Sequence, residues 1–269
     1  MNARVQLVSA YLFFVFMALF ALGFWVLAGF MPPPNPAESA QAIARQFQGN
    51  TTGIRAGMLV LEFAAALLLP WCGAVAVQMK RVERGHTVLT YTWLAASGIL
   101  VLEFIYPIMF WLVAAFRPHE APALLQHFND LAWLTFLGVV TTAVVQALAL
   151  GIVALRDTRP TPVFPRWFGY FNIWSATLFC PASLIIFFKH GPFAWNGVIA
   201  FWFVAIVFFA WMLVVTVVLI GAIRHQQREE ANGTEPVASA PAAQLAALSA
   251  QVAELSAQVA ELQRERAMS

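Results

Sequence analysis

The chain has 269 residues, of which 61% are hydrophobic and 10% charged, and its formal net charge is +2. Soluble domains carry roughly 45–50% apolar and about 25% charged residues. The composition therefore excludes an ordinary soluble enzyme, a disordered chain and a nucleic-acid binder, and predicts an all-α polytopic membrane bundle.

A spanning helix needs about 20 mostly apolar residues. The first run that qualifies is Val5–Met31. It exceeds the roughly 7–15-residue core of a secretory signal, and no small-x-small cleavage pattern follows it, so it is expected to stay as the first span. Pro32-Pro33-Pro34-Asn35-Pro36 then stiffens the exit into an extended segment. Ala37–Gln48 reads as a short amphipathic helix with Ala40, Ile43, Ala44 and Phe47 on one face, lying on the outer surface or capping the bundle. The second, third and fourth spans are expected at Gly57–Met79, Val88–Phe116 and Leu131–Leu155. The fifth and sixth, Trp167–Phe188 and Phe193–Ile223, are joined by a tight turn at Lys189-His190-Gly191-Pro192. The six-helix transmembrane domain is thus placed at 1–228, a polar Ala/Gly/Pro-rich linker at 229–241, and a C-terminal helix at 242–266.

In that last segment Leu245, Leu248, Val252, Leu255, Val259 and Leu262 alternate in steps of three and four. This is the seam of a cytoplasmic coiled coil, and its expected partner is another copy, giving a homo-oligomer of undetermined number. A single surface helix is the alternative reading.

Lys and Arg in the connections set orientation. With the N-terminus inside, inner connections hold nine and outer ones four, which predicts both termini in the cytoplasm.

Within the six runs the charged side chains are Glu62 and Glu103. A carboxylate at bilayer centre costs about 2.5–3.5 kcal/mol on insertion scales and marks a functional candidate. Glu103 falls near the middle of span three, with Pro107 one turn on, where it removes the hydrogen bond to the Glu103 carbonyl. Gln146 has a similar expected depth in span four, and a Glu103–Gln146 bond is the structural alternative. Glu62 and Asp130, with Asn129, Arg117 and Lys189, could line an outer vestibule or form an interfacial ion-pair network. Asn172 either serves a ligand or bridges helices. Pro70, Pro107 and Pro181 predict three kinked spans. Trp195, Trp202 and Phe209 recur every seven residues in span six, as an aromatic wall or as bundle packing.

Cys72 and Cys180 both lie in apolar runs, and no CxxC or Cys/His cluster occurs. No metal site, cofactor motif, phosphate loop or nucleophile elbow is present in the sequence, so no cofactor is expected and the reading leans away from an enzyme. The expected partners are membrane lipids, further copies of the chain and a small molecule or ion, with no nucleic acid.

Four strings, Pro32–Pro36, Asn50–Arg55, Phe164–Trp174 and Lys189–Gly197, together resemble a group of six-span bacterial inner-membrane proteins over roughly Val5 to His225. The resemblance implies a bacterial cytoplasmic membrane and supplies no activity and no site residues. Three functions compete on the residues themselves. One is permeation or transport of a small solute, proton or ion past Glu103. The second is a non-catalytic oligomeric scaffold or partner-recruiting anchor. The third is a membrane-embedded enzyme on a hydrophobic substrate.

Overall fold

The computed structural model describes residues 3–85, 87–231, 248–249 and 251–252. All regular structure among these is helical. Six helical stretches are long and apolar enough to cross a membrane: Ala3–Leu27, Thr51–Glu83, Val88–Phe116, Pro122–Arg156, Arg166–Phe187 and Val198–Ala231. They fit a multi-pass membrane protein, and their order matches the six apolar runs of the sequence.

The boundaries differ where turn chemistry overrides hydropathy. Span two begins at Thr51 because its helix starts directly after Asn50, ahead of the apolar run. Span four begins at Pro122, a favoured first helical residue, so Asp130 stands within its helix and not at its edge. Span six starts at Val198, because Phe193–Gly197 belongs to the connection, where Gly191 has φ 80°. The short amphipathic helix α2 covers Ala40–Gly49, and the Ser39 side chain accepts from Ala42 N at 3.2 Å as its N-cap. It caps the bundle: Ile43, Ala44 and Phe47 are buried, Gln48 donates to the Pro118 carbonyl, and Gln126 of span four donates to the Glu38 carbonyl just ahead of α2.

Span one is α1, Ala3–Phe20, continued by a π-helical segment, Ala21–Leu27. Span two is α3, Thr51–Ala66, and α4, Leu68–Glu83, with the change at Leu67. Pro70 explains it, since its missing N–H leaves the Ala66 carbonyl without its helical donor. Span five is α8, Arg166–Phe179, then a 3-10 segment, Cys180–Phe187, which starts one residue before Pro181. Span six opens as a π-helical segment, Val198–Phe203, and continues as α9, Val204–Ala231.

Pro107 does not behave like the other two prolines. The third span, α5, runs unbroken over Val88–Phe116 through it. Instead span four breaks, into α6, Pro122–Gly138, and α7, Thr141–Arg156, with Val139 and Val140 outside both helices.

Two kinds of contact hold the spans. Small residues let backbones touch. A Cβ on Gly57 would stand 2.3 Å from the Gly23 carbonyl oxygen, and one on Gly151 would stand 3.0 Å from that of Gly169. These crossings lock span one to span two and span four to span five. Elsewhere rings fill wide gaps. Trp71, Trp93 and Trp211, from spans two, three and six, have centroids 6.2–6.5 Å apart and are fully buried. Their indole N–H groups donate to Thr216 Oγ1, the Cys72 carbonyl and Asn172 Oδ1, so the buried polar edge of each ring is satisfied. At the end of the bundle carrying Lys80, both Glu83 carboxylate oxygens accept from the first turn of α5, through Leu89 N, Thr90 N and Thr90 Oγ1.

By backbone contacts the chain divides into two compact units, Met1–Ile223 and Arg224–Ser269. Within the second unit, Glu229–Ala231 are helical and not linker, and Leu248 and Val252 are helical and 60% and 61% exposed. The remaining seam positions, Leu245, Leu255, Val259 and Leu262, lie outside the described residues, as does the expected linker from 232 onward.

Candidate functional site

The four departures from α-helical geometry in spans one, four, five and six meet around one cavity of about 400 Å³. The π segment of span one brings Phe24 and Trp25. The break in span four brings Val139 and Val140, the 3-10 segment brings Ala182, and the π segment of span six brings Phe201 and Trp202. π-Helical turns are uncommon and concentrate at functional sites. Non-helical backbone at membrane depth is tolerated where protein buries it or where it lines a cavity.

Span three completes the wall with Leu100, Glu103 and Phe104. Among the described residues Glu103 is the single ionisable one in a lining close to half aromatic. A second hollow of about 400 Å³ lies on the flank between α5 and α6 and shares Glu103 and Val139 with the first. Its Ile99 and Tyr106 are 50% and 55% exposed, so the carboxyl separates the inner cavity from the lipid-facing side of the bundle. On another side, Trp25 and Ile206 at the cavity rim are 63% and 66% exposed, leaving an opening between spans one and six.

Glu103 is held by the Thr142 hydroxyl, which donates to Oε1. Thr142 is the second residue of α7, so the carboxyl faces the start of a half-helix that begins at mid-span. The amide ends of such a start carry partial positive charge and favour an anion. The Glu103–Gln146 bond of the structural alternative is not formed. Gln146 Nε2 donates instead to Ser97 Oγ at 2.7 Å, six residues before Glu103 on α5. The discrepancy has a geometric cause. Depth counting assumed an unbroken fourth span, whereas the break at Val139–Val140 brings Thr142 to the level of Glu103. Thr142 was missed by the sequence reading. Its signal is Gly138-Val139-Val140-Thr141-Thr142, a glycine and four β-branched residues of poor helix propensity inside an apolar run. Gln146 is fully buried, and its Oε1 has no hydrogen-bond partner among the described residues.

The other expected candidates do not converge on this cavity. Asn172 bridges spans five and six, accepting from Trp211 Nε1 at 2.8 Å and donating to the Phe168 carbonyl at 2.8 Å. Glu62 is half-buried on α3, away from both hollows. Asp130 lies within the electrostatic reach of Lys189 and His127. Arg55 and Arg117 make local contacts. Arg55 caps the C-terminus of α5, donating to the Ala115 and Phe116 carbonyls at 2.8–3.1 Å, and Arg117 pairs with Glu120 at 4.0 Å. Of the aromatic row in span six, Trp202 and Phe209 line the cavity, while Trp195 donates to the Pro34 carbonyl. Cys72 is buried and Cys180 exposed, both as free thiols. Among the described residues no group of three or more His, Cys, Asp or Glu is placed to hold a metal ion.

Compared with protein-family models, curated proteins and solved structures, the chain has no match.

Proposed function

We propose that this is an integral membrane protein for permeation or transport, which admits a small, largely apolar solute from the bilayer into the mid-span cavity, with Glu103 as its polar anchor. The observation that carries the reading is the convergence of four irregular helical segments on a cavity whose single carboxyl faces the start of a half-helix. Discontinuous helices that offer their ends at mid-depth are how many carriers build a site within the membrane. The lining argues against a bare ion as cargo. A dehydrated cation needs several oxygen ligands, and here one carboxyl, already bonded by the Thr142 hydroxyl behind it, stands in an apolar wall. The excess of Lys and Arg in alternate connections supports a cytoplasmic-membrane location with both termini inside.

The test is photolabelling in proteoliposomes with a diazirine-bearing octyl series that differs only in its head group: alcohol, amine or acid. At least one member should label residues 20–25, 136–140 and 201–209, and E103Q should reduce that labelling several-fold. Labelling spread over the lipid-facing surface, unchanged in E103Q, refutes the reading. Carriage, as distinct from binding, shows as counterflow of the same solute that is faster with wild type than with E103Q. Equal exchange rates refute carriage.

A further inference from the structure

The cavity's chemistry selects more narrowly than its depth does. Its interior presents ring surfaces from spans one, three, four, five and six, including Phe20, Phe104, Phe136, Phe179 and Phe208, around one carboxyl. Several of these rings stand at steep angles to one another, with Phe104 at 87° to Phe20 and 71° to Phe136, so faces and edges from different helices meet at one place. Aromatic faces attract cations through their quadrupole, most strongly where water is excluded. A carboxylate in an apolar wall favours a positive charge beside it and repels a negative one. The described lining contains no basic residue that could supply that charge. Glu103 receives the Thr142 hydroxyl and the start of α7, which hold an anion in place without bringing a full positive charge.

We infer that the cavity binds lipophilic organic cations, such as quaternary or aryl-substituted onium ions and protonated amines with bulky apolar bodies, the charge beside Glu103 and the apolar body among the rings. The inference rests on the cavity reading above and deepens it. Other cargo classes fit less well. A hydrophilic cation would lose its water to a wall that offers one polar side chain, Glu103. An apolar anion would meet the carboxylate. A neutral amphiphile would satisfy one hydrogen bond and make no use of the carboxyl's capacity to carry a charge. The cavity, at about 400 Å³, lies within the range of roughly 300–1,000 Å³ that holds drug-sized ligands. The opening beside Trp25 and Ile206 suits cations that already partition into the bilayer.

Tetraphenylphosphonium and tetraphenylborate test this directly, because they share a shape and differ in the sign of charge. The purified full-length protein in detergent should bind tritiated tetraphenylphosphonium saturably, and unlabelled tetraphenylborate should not compete. E103Q should weaken binding by at least roughly tenfold, the scale expected when one partner of a buried charge pair is lost. E103D, which keeps the charge, should retain part of the affinity, and E62Q, which lies outside the cavity, should retain all of it. F104L should weaken the phosphonium several-fold. Melting curves of each variant show whether the fold survives. Equal binding of both ions, or phosphonium binding indifferent to E103Q in a folded protein, overturns the inference. If the octyl alcohol labels the cavity in a Glu103-dependent way while the phosphonium does not bind, the cation inference falls and the cavity reading stands.

Discussion

The crossing of spans one and two makes the sharpest test of the packing. A Cβ added at Gly57 would sit 2.3 Å from the Gly23 carbonyl oxygen and 3.0 Å from Ala28 N, where ordinary contact begins at 3.4 Å. Both obstacles are backbone, so G57A must drive the π segment back by about 1 Å, in an interior packed too densely to absorb it. Overpacking of this kind costs ~1–3 kcal/mol. Replacing glycine by alanine in a helix returns up to about 1 kcal/mol, by limiting the unfolded chain. With two backbone obstacles the upper part of that cost applies, about 2–3 kcal/mol, so the net loss is about 1–2 kcal/mol, which lowers the Tm of a chain of this size by roughly 2–8 °C. Intrinsic tryptophan fluorescence during a thermal ramp in detergent reads the change. G98A in α5 is the matched control, because nothing lies within 4 Å of its added Cβ, and its Tm should hold or rise. If G57A melts at or above the wild-type temperature, or if both variants shift alike, the proposed backbone contact does not exist. A positive result also concerns the cavity, because the displaced segment carries Phe24 and Trp25 of its lining.

Two further outcomes follow from hydrogen bonds outside the cavity. N172L and W211F, combined in a double-mutant cycle of melting free energies, should show a coupling of about 1 kcal/mol from the bond of 2.8 Å between Trp211 Nε1 and Asn172 Oδ1, and strict additivity would contradict that bond. Asp157, just beyond span four, gives a pH signature. Burial alone would raise its carboxyl, but hydrogen bonds from Arg159 and Val163 N outweigh it and hold the acid below its ordinary value of 3.8. A group lowered in the folded state stabilises above its unfolded value and loses that contribution as pH falls through the folded one. The Tm gap between wild type and D157N should therefore be full at neutral pH and close below about pH 4. A gap independent of pH would refute the assignment.

The spans were legible because nothing but bilayer asks for runs such as Val88–Phe116. Their irregularities were legible only where proline caused them, near Leu67 and at Cys180. Pro107 misled in the opposite direction, since α5 absorbs it without a break. The decisive break at Val139–Val140 has no proline, and the π segments at Ala21–Leu27 and Val198–Phe203 look in sequence like any other apolar helix. Hydropathy reports whether a residue prefers lipid and is blind to how many residues fill a turn. That is why Glu103 is legible from hydropathy, while the alternative partner it offers, Gln146, lies one turn beyond the actual one, Thr142. The gathering of rings from five spans into one lining was likewise invisible, because it depends on which faces the irregular segments turn inward.

The tryptophan triad gives the bundle a built-in optical gauge. Indoles whose centroids lie 6.2–6.5 Å apart couple electronically, and Trp211 contributes from a different span than Trp71 or Trp93. An outward swing of the sixth span would pull one member from the trio while the other two kept their separation. Near-ultraviolet circular dichroism of the unlabelled protein would register that excursion as a weakened couplet, so any gating of the lateral opening is open to spectroscopy without an introduced dye.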